Sequence, residues 1–141
     1  MDQPFEVAER LRSARVVAVL GAHVEPYRAA FYVPDYLFHH GYRILPVNPQ
    51  FAGQTLWNET VVSTLKEITE AVDIVDVFRR PEALSEHLAD FLAMRPPPKL
   101  VWLQLGIRHA AVKEALIAAG IDVVEDRCAL ADHRALVASR G

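Results

Sequence analysis

The sequence has little cysteine, no long apolar run and no large excess of either charge. Its one cysteine, Cys128, cannot form an internal disulfide bond, which is typical of a cytoplasmic protein. No apolar run approaches the roughly 20 residues that span a bilayer, so we expect no insertion in a membrane. With 15 Lys and Arg against 18 Asp and Glu, the net charge of −3 provides no field that would attract nucleic acid.

Several catalytic motifs are also missing from the sequence. It contains no CxxC or HExxH spacing, and an isolated pair such as Cys128 and His133 is a weak signal, so we expect no metal site. It contains no G-x-S-x-G elbow, which argues against a serine hydrolase. His87 falls on the apolar side of a predicted helix, and we interpret it as a residue of the core or its margin.

The composition and the order of the apolar segments predict one α/β domain over residues 1–141. Hydrophobic residues make up 52% of the chain, which is enough for a single core. Five short apolar segments without polar alternation are predicted as buried parallel strands: residues 15–20, 42–47, 73–78, 99–105 and 121–126. Helical patterns separate them, so we expect a Rossmann-like three-layer α/β/α sandwich with a mostly parallel five-stranded sheet.

Local signals predict where several helices begin and end. Gly41 is expected to end a helix over residues 32–40, with Pro34 in its first turn, because a proline deeper in a helix removes a hydrogen bond. Thr64 and Glu67 have the spacing of a capping box for a short helix. Pro81 is expected at the first position of the next helix, which the sequence extends to about residue 94.

Arginines follow three of the predicted strands. Arg28 follows the first strand, Arg79 and Arg80 follow the third, and Arg108 follows the fourth. Ligands of open parallel sheets bind beyond the carboxyl ends of the strands, and the planar guanidinium group suits the paired oxygens of phosphate. A single arginine there often only caps a helix or pairs with an acid, but several at one edge favour a phosphate-bearing ligand.

The first strand runs into a single glycine, Gly21. A dinucleotide site of the NAD type uses G-x-G-x-x-G and an acid about 20 residues further on. Here His23 and Pro26 take the second and third glycine positions, and the second strand ends in Asn48-Pro49 without a carboxylate. Both features disfavour a nicotinamide cofactor, and the missing acid favours a nucleotide that carries a ribose phosphate.

Five stretches resemble, in the same order, the small stand-alone CoA-binding proteins: VAVLGAHVEPYR, GYRILPVNPQFAGQTLWNETVVSTLKEI, VDIVDVFRRPE, VWLQLGIRHAAV and AAGIDVVEDRC. These proteins are similar to the nucleotide-binding domain of the succinyl-CoA synthetase α chain. The resemblance covers roughly residues 6–136, and it implies a Rossmann-like fold that binds coenzyme A or an acyl-CoA. The catalytic histidine of the synthetase lies in a domain that has no counterpart here, so the resemblance implies a binding protein and not an enzyme.

The resemblance also implies a ligand site in four parts at the carboxyl ends of the strands. The pyrophosphate of CoA is expected at the first loop, with Gly21, Ala22, His23 and Arg28. The region of the ribose phosphate is expected beside Val47, Asn48 and Pro49. The adenine is expected beside Val77, Phe78, Arg79 and Arg80, and the pantetheine arm beside Gln104, Leu105 and Gly106.

Cys128 ends the fifth strand at the same edge, and two interpretations of it stay open. It is either a small buried apolar residue or a thiol that exchanges with the sulfhydryl of CoA. Two alternatives also stay open for the whole chain. It could be an NAD(P)-binding oxidoreductase or regulatory domain, or an interaction domain that has lost its ligand.

Overall fold

The computed structural model of the protein describes residues 3–138, and a five-stranded parallel sheet lies at its centre. In chain order the strands are β1 (Val16–Leu20), β2 (Arg43–Val47), β3 (Thr55–Leu56), β4 (Glu59–Thr60), β5 (Ile74–Val77), β6 (Leu100–Leu103) and β7 (Asp122–Val124). The order across the sheet is β2-β1-β5-β6-β7, and β3 pairs with β4 in a separate antiparallel hairpin. In the register of the sheet, Val17 lies between Ile44 and Ile74.

Helices cover both faces of this sheet. They are α1 (Pro4–Ser13), α2 (Ala29–His39), α3 (Leu84–Ala93), α4 (Ala110–Ala118) and α5 (Ala129–Asp132), and α5 continues into a π-helical segment, His133–Val137. One buried cluster contains Phe91 of α3 and Leu116 of α4, and the other contains Leu11 of α1 and Leu37 of α2. The predicted three-layer α/β/α sandwich is therefore confirmed, with all five strands of the sheet parallel.

The five predicted strands are all present, and each begins one residue later than the pattern predicted. Trp102 of β6 is fully buried, and its indole N–H donates to the carbonyl of Arg127 at 2.8 Å. The β3–β4 hairpin was not predicted. Its turn places Trp57 and Asn58 at positive φ, and the Trp57 indole N–H donates to the Asp35 carboxylate at 3.1 Å.

Asp76 is an unusual residue of the central strand β5. It is 1% exposed, its register neighbours are Val19 and Trp102, and neither carboxyl oxygen has a hydrogen-bond partner among residues 3–138. Burial raises the pKa of this carboxyl group well above its ordinary value, because removal from water disfavours the charged form. We therefore treat Asp76 as a neutral acid in the folded protein.

The prediction that Pro34 lies in the first turn of its helix is wrong. The helix, α2, begins at Ala29 and not near residue 32, so Pro34 lies in its second turn. A proline at this position leaves the carbonyl of Ala30, four residues earlier, without its usual donor. The backbone N–H of His23 donates to that carbonyl at 3.3 Å, so the proline frees an acceptor that holds the first loop against α2.

Other local predictions are confirmed or slightly shifted. Gly41 follows α2 with φ +94°, and the Thr64–Glu67 capping box is present on a single 3₁₀ turn, Leu65–Glu67. Pro81 begins a 3₁₀ turn, Pro81–Ala83, and α3 starts only at Leu84. In the part of the chain that the structure describes, no helix has the length and hydropathy to cross a membrane.

Candidate functional site

The strand order places a crevice between the ends of β1 and β5. The chain moves from β1 to β2 on one side, and the next strand of the sheet, β5, lies on the other side of β1. At such a reversal the two following loops diverge, and ligands of open α/β sheets bind beyond the carboxyl ends of the strands there. The residues that follow these two strands are Gly21 and Phe78, so the site is built outward from them.

Gly21 is required by the packing of the protein itself. Its φ is +95°, and a Cβ atom built on it would lie 2.6 Å from the carbonyl oxygen of Phe78, closer than real Cβ atoms come to a neighbour. Its N–H donates to the carbonyl of Val47 at 2.8 Å. A residue with a side chain would therefore push the ends of β1 and β5 apart, whether or not a ligand is bound.

Asn48 joins the first loop to the second. It is 8% exposed, its side-chain N–H donates to the carbonyl of Ala22 at 2.9 Å, and its side-chain oxygen accepts the N–H of Gln50 at 2.9 Å. Pro49 begins the 3₁₀ turn that follows. Both ends of the Asn48 amide therefore have partners within the protein, which assigns this residue the role of holding the two loops in place.

His23 and Arg28, both predicted to lie at the pyrophosphate, also have partners within the loop. The Nδ1 atom of His23 accepts the N–H of Glu25 at 3.1 Å, and its ring packs edge-on against Phe51. The Nε atom of Arg28 donates to the Glu25 carboxylate at 2.9 Å, and the Tyr27 hydroxyl donates to the same carboxylate. The hydrogen bond with Arg28, and to a lesser extent that with Tyr27, lowers the pKa of Glu25. The Glu25 carboxylate therefore stays ionised beside the arginine.

A cavity of about 130 Å³ lies at the ends of β1 and β2, and we call it the Arg79 cavity. Its lining comes from the ends of β1 and β2, from the segments that follow β1, β2, β4 and β5, and from α3. The lining residues are Leu20, Gly21, Val47, Asn48, Pro49, Ser63, Thr64, Arg79, His87 and Asp90. The Nε atom of Arg79 and the Nε2 atom of His87 are buried without a hydrogen-bond partner among the described residues. Burial, followed by the charge of Arg79, lowers the pKa of His87.

A second cavity, of about 360 Å³, lies at the ends of β5 and β6, and we call it the Cys128 pocket. Its lining is largely apolar: Ala29, Tyr32, Val33, Phe78, Gln104, Leu105, Ile107 and Cys128. The side-chain oxygen of Gln104 accepts the N–H of Ala129 at 3.1 Å, so the start of α5 is tied to the end of β6. Leu105 is 70% exposed at the rim.

The two cavities divide the predicted site residues into three groups. Gly21, Val47, Asn48, Pro49 and Arg79 line the Arg79 cavity, and Phe78, Gln104, Leu105 and Cys128 line the Cys128 pocket. Neither cavity is lined by the remaining predicted residues: Ala22, His23, Arg28, Val77, Arg80 and Gly106. Val77 and Ala22 are buried, Arg80 is exposed, and the N–H of Gly106 donates to the Asp126 carboxylate at 2.6 Å.

His87, Ser63 and Thr64 line the Arg79 cavity although the sequence did not predict them as site residues. The interpretation of His87 as a residue at the core margin is partly correct, since its neighbours on α3, Leu84 and Phe91, are fully buried. A possible signal was an ionisable residue on an apolar helix face shortly after the arginines that end β5. The pattern alone does not distinguish a residue that faces a cavity from one that packs in the core.

A third cavity, of about 270 Å³, lies at the amino-terminal edge of the sheet, with Arg12, Arg15, His40 and His133 in its lining. Its cations are already engaged, since Arg15 donates to the carbonyls of Arg12 and Ala14. The Nδ1 atom of His133 lies 3.0 Å from the Tyr36 hydroxyl. Burial lowers the pKa of His133, and His40 adds to this effect. The opposite edge, with its unpartnered nitrogens, is therefore the better candidate.

Comparisons with known proteins find relatives that cover most of the chain. A sequence family described as a CoA binding domain matches residues 15–134. The protein YneT of Bacillus subtilis is 34% identical over 128 residues, which cover 91% of this chain and 92% of YneT. The structure of cell-free ID.343 from Thermus thermophilus has a TM-score of 0.91 at 51% identity, and it covers 95% of this chain and 98% of that one. A hypothetical protein from Pyrococcus horikoshii OT3 has a TM-score of 0.87 at 27% identity over 96% of this chain and 92% of that one.

Proposed function

Because the chain belongs to the CoA-binding domain family, we propose that it binds coenzyme A or an acyl-CoA and catalyses no reaction of its own. One observation carries this proposal. The side chains of Phe78 and Arg79, which follow β5 in succession, line different cavities. The lining of one cavity includes Arg79 and His87, each with a buried nitrogen that has no partner among the described residues, and the lining of the other includes the thiol of Cys128.

These two cavities match the two ends of coenzyme A. The nucleotide end carries phosphate groups, which suit the guanidinium of Arg79, whose buried Nε atom has no partner among the described residues. The pantetheine end carries a thiol or thioester on a largely apolar arm, which suits the lining of the Cys128 pocket. In this proposal the nucleotide lies toward β2 and the pantetheine arm lies toward β6.

The pyrophosphate of the ligand is proposed to lie between the cavities, at the first loop and the start of α2. The helix has eleven residues and begins at Ala29 next to the loop, and the amino-terminal end of a helix attracts negative charge. Glu25 and Arg28 form an ion pair there, so the loop presents little net charge. The N–H groups of Ala29 and Ala30 in the first turn of α2 are then the main anion-binding groups in the proposal, because most N–H groups of the loop itself already donate within the protein.

The proposal contains no catalytic step because three polar residues at the ends of the strands, Asn48, Gln104 and Asp126, already hold backbone segments in place. Asn48 ties the first loop to the second, and Gln104 ties β6 to α5. Asp126 is engaged by the N–H of Gly106 and by Arg108. Groups with such roles position backbone rather than move protons. The protein is therefore proposed to hold its ligand for another component to use.

A thermal-shift panel with CoA, acetyl-CoA, dephospho-CoA, NAD, NADP and ATP tests this proposal. A ligand at one hundred times its Kd adds about 2.7 kcal/mol of stability, which raises the Tm of a chain of this size by roughly 8–10 °C. We expect that shift with CoA and acetyl-CoA. A shift with NAD or NADP but none with CoA would instead favour a nicotinamide-linked protein, and no shift with any nucleotide would favour an interaction domain.

Isothermal titration of a variant locates the site. Arg79→Gln is expected to weaken CoA binding by about 10- to 100-fold, because a hydrogen bond to a charged group is lost. Arg80→Gln is expected to weaken it much less, since Arg80 is exposed and lies outside both cavities. Arg134→Gln, on an exposed residue of the opposite edge, is the matched control. Unchanged affinity in Arg79→Gln would remove the nucleotide from the Arg79 cavity.

A further inference from the structure

The Arg79 cavity contains a second basic side chain, His87, that comes from a different element of the fold. Arg79 follows β5 and His87 lies on α3, yet both line the same cavity. The Nε atom of Arg79 and the Nε2 atom of His87 are each buried, and neither has a hydrogen-bond partner among residues 3–138. The fold therefore brings two side chains with unpartnered nitrogens to the lining of one small cavity.

Two such atoms in one cavity indicate a missing acceptor. Buried polar atoms in folded proteins are nearly always hydrogen-bonded, because burial removes their hydrogen bonds to water and leaving these unreplaced costs free energy. The Arg79 side chain also has no carboxylate within salt-bridge distance among the described residues, although most arginines of the chain have one or a backbone carbonyl. An anionic oxygen would satisfy both nitrogens at once.

The cavity is the size of a single phosphate group and not of a whole nucleotide. Its volume is about 130 Å³, which is room for roughly four water molecules at about 30 Å³ each. Pockets for complete small-molecule ligands have about 300–1,000 Å³. The hydroxyl-bearing residues Ser63 and Thr64 also line it, and serine and threonine hydroxyls donate readily to phosphate oxygens.

The charged groups around His87 come from three elements. Arg79 at the end of β5 lowers the pKa of His87 in addition to the larger effect of burial, whereas Asp90 and Glu86 of α3 oppose this. Asp90 is itself paired with Lys66 of the neighbouring 3₁₀ turn, at 3.5 Å. The other lining residues, from the ends of β1 and β2 and the segment after β4, are uncharged.

We propose that His87 and Arg79 together form a subsite for a phosphate monoester, which takes the phosphate on the ribose of the bound nucleotide. This inference rests on the proposed function, since it names which part of coenzyme A the cavity recognises. It assigns the pyrophosphate to the first loop and leaves the cavity to the one phosphate that branches from the ribose. His87 then acts as a specificity residue that separates CoA from dephospho-CoA.

A dependence on pH follows from the two charges. A monoester dianion beside His87 favours the imidazolium form, so binding takes up a proton when the free imidazole is neutral. Below about pH 6 the phosphate itself becomes protonated and loses charge. The affinity for CoA is therefore expected to rise as the pH falls from 8.0 to 6.5, and the affinity for dephospho-CoA is expected to stay constant.

Isothermal titration of CoA and dephospho-CoA at pH 6.5 and 8.0 tests the proposal, with the full chain, the His87→Gln variant and the control His39→Gln. His39 is an exposed histidine at the end of α2, away from both cavities. We expect the wild type to prefer CoA by at least about tenfold, and His87→Gln to lose about tenfold in CoA affinity at pH 6.5, the size of one charged hydrogen bond. The variant should bind dephospho-CoA like the wild type and lose the pH dependence, and His39→Gln should behave like the wild type.

A second measurement does not depend on the variant. The phosphorus NMR signal of the monoester in the CoA complex of the wild type should titrate at a lower pH than in free CoA, because the cationic side chains of Arg79 and His87 stabilise the dianion. An unshifted titration of the bound monoester would overturn the proposal.

The outcomes separate this proposal from the proposed function. Equal binding of CoA and dephospho-CoA by the wild type would overturn the subsite and leave CoA binding intact. A preference for CoA that is as large in His87→Gln as in the wild type would show that His87 does not contact the phosphate and is a packing residue. No binding of either compound would overturn the proposed function as well.

Discussion

Replacement of Gly21 by alanine tests whether the first loop is shaped by the protein's own packing. Alanine at φ +95° costs about 1–2 kcal/mol in backbone strain. Its Cβ atom would also lie 2.6 Å from the carbonyl oxygen of Phe78, a backbone atom that cannot rotate away. Displacing the packed end of β5 adds about 1–3 kcal/mol. The total of about 2–5 kcal/mol corresponds to a Tm lower by roughly 7–18 °C in a chain of this size.

Gly41→Ala is the matched control for this change. Gly41 has almost the same φ, +94°, but a Cβ atom on it would have no neighbour within 4 Å. It therefore carries the backbone strain without the clash, and we expect a Tm lower by only roughly 3–7 °C. Thermal and urea unfolding of both variants measure the difference. Equal losses of stability in the two variants would refute the reasoning, because the Phe78 carbonyl would then contribute nothing.

Three further changes have defined outcomes. Asp76→Val should raise the free energy of unfolding by about 1–3 kcal/mol at pH 8, the cost of a buried polar group without a partner. Because burial raises the pKa of Asp76, the free energy of unfolding of the wild type should fall as the pH rises from about 4 towards that raised value, and Asp76→Val should lack this dependence on pH. Urea unfolding of both proteins over this pH range measures it, and the same dependence in both would contradict the prediction. Asn48→Ala should cost about 2–3 kcal/mol of stability and weaken CoA binding, since Ala22 and Gln50 lose their bonds; a loss below about 0.5 kcal/mol would show that the loops hold without it. Cys128 thiolate should displace CoA thiolate from CoA disulfide and form a mixed disulfide, seen in intact-protein mass spectra and absent in Cys128→Ser; no adduct on a thiol that an alkylating reagent reaches would speak against that exchange.

The fold could be predicted because its signals are local and repeated. Five β-branched segments with no polar alternation, separated by helical patterns, leave few arrangements other than a parallel sheet covered on both faces. The helix end at Gly41 and the capping box at Thr64 depend only on residues within one turn, and both are present. The edge of the sheet that carries the candidate site follows from the same topology.

The details of the site depend on contacts between distant residues, and these could not be read from the pattern. The need for glycine at position 21 comes from the Phe78 carbonyl on another strand. Pro34 fits inside α2 because the N–H of His23, from the preceding loop, uses the carbonyl that the proline leaves without a donor. Arg28 is different, since its partner Glu25 is only three residues away and such a pair could have been expected.

His87 shows the limit most clearly. Its spacing with Leu84 and Phe91 places it on the buried side of α3, and the same spacing describes a histidine packed in a core. Only the position of Arg79, from a different element, shows that His87 lines a cavity together with another side chain that has an unpartnered nitrogen.

A crystal structure of the protein with coenzyme A is the most direct test of the central claim. We predict the nucleotide at the ends of β1 and β2 with a phosphate in the Arg79 cavity, and the pantetheine arm in the Cys128 pocket on the other side of Phe78. Coenzyme A bound elsewhere, for example in the cavity lined by Arg12 and Arg15 at the opposite edge of the sheet, would contradict it.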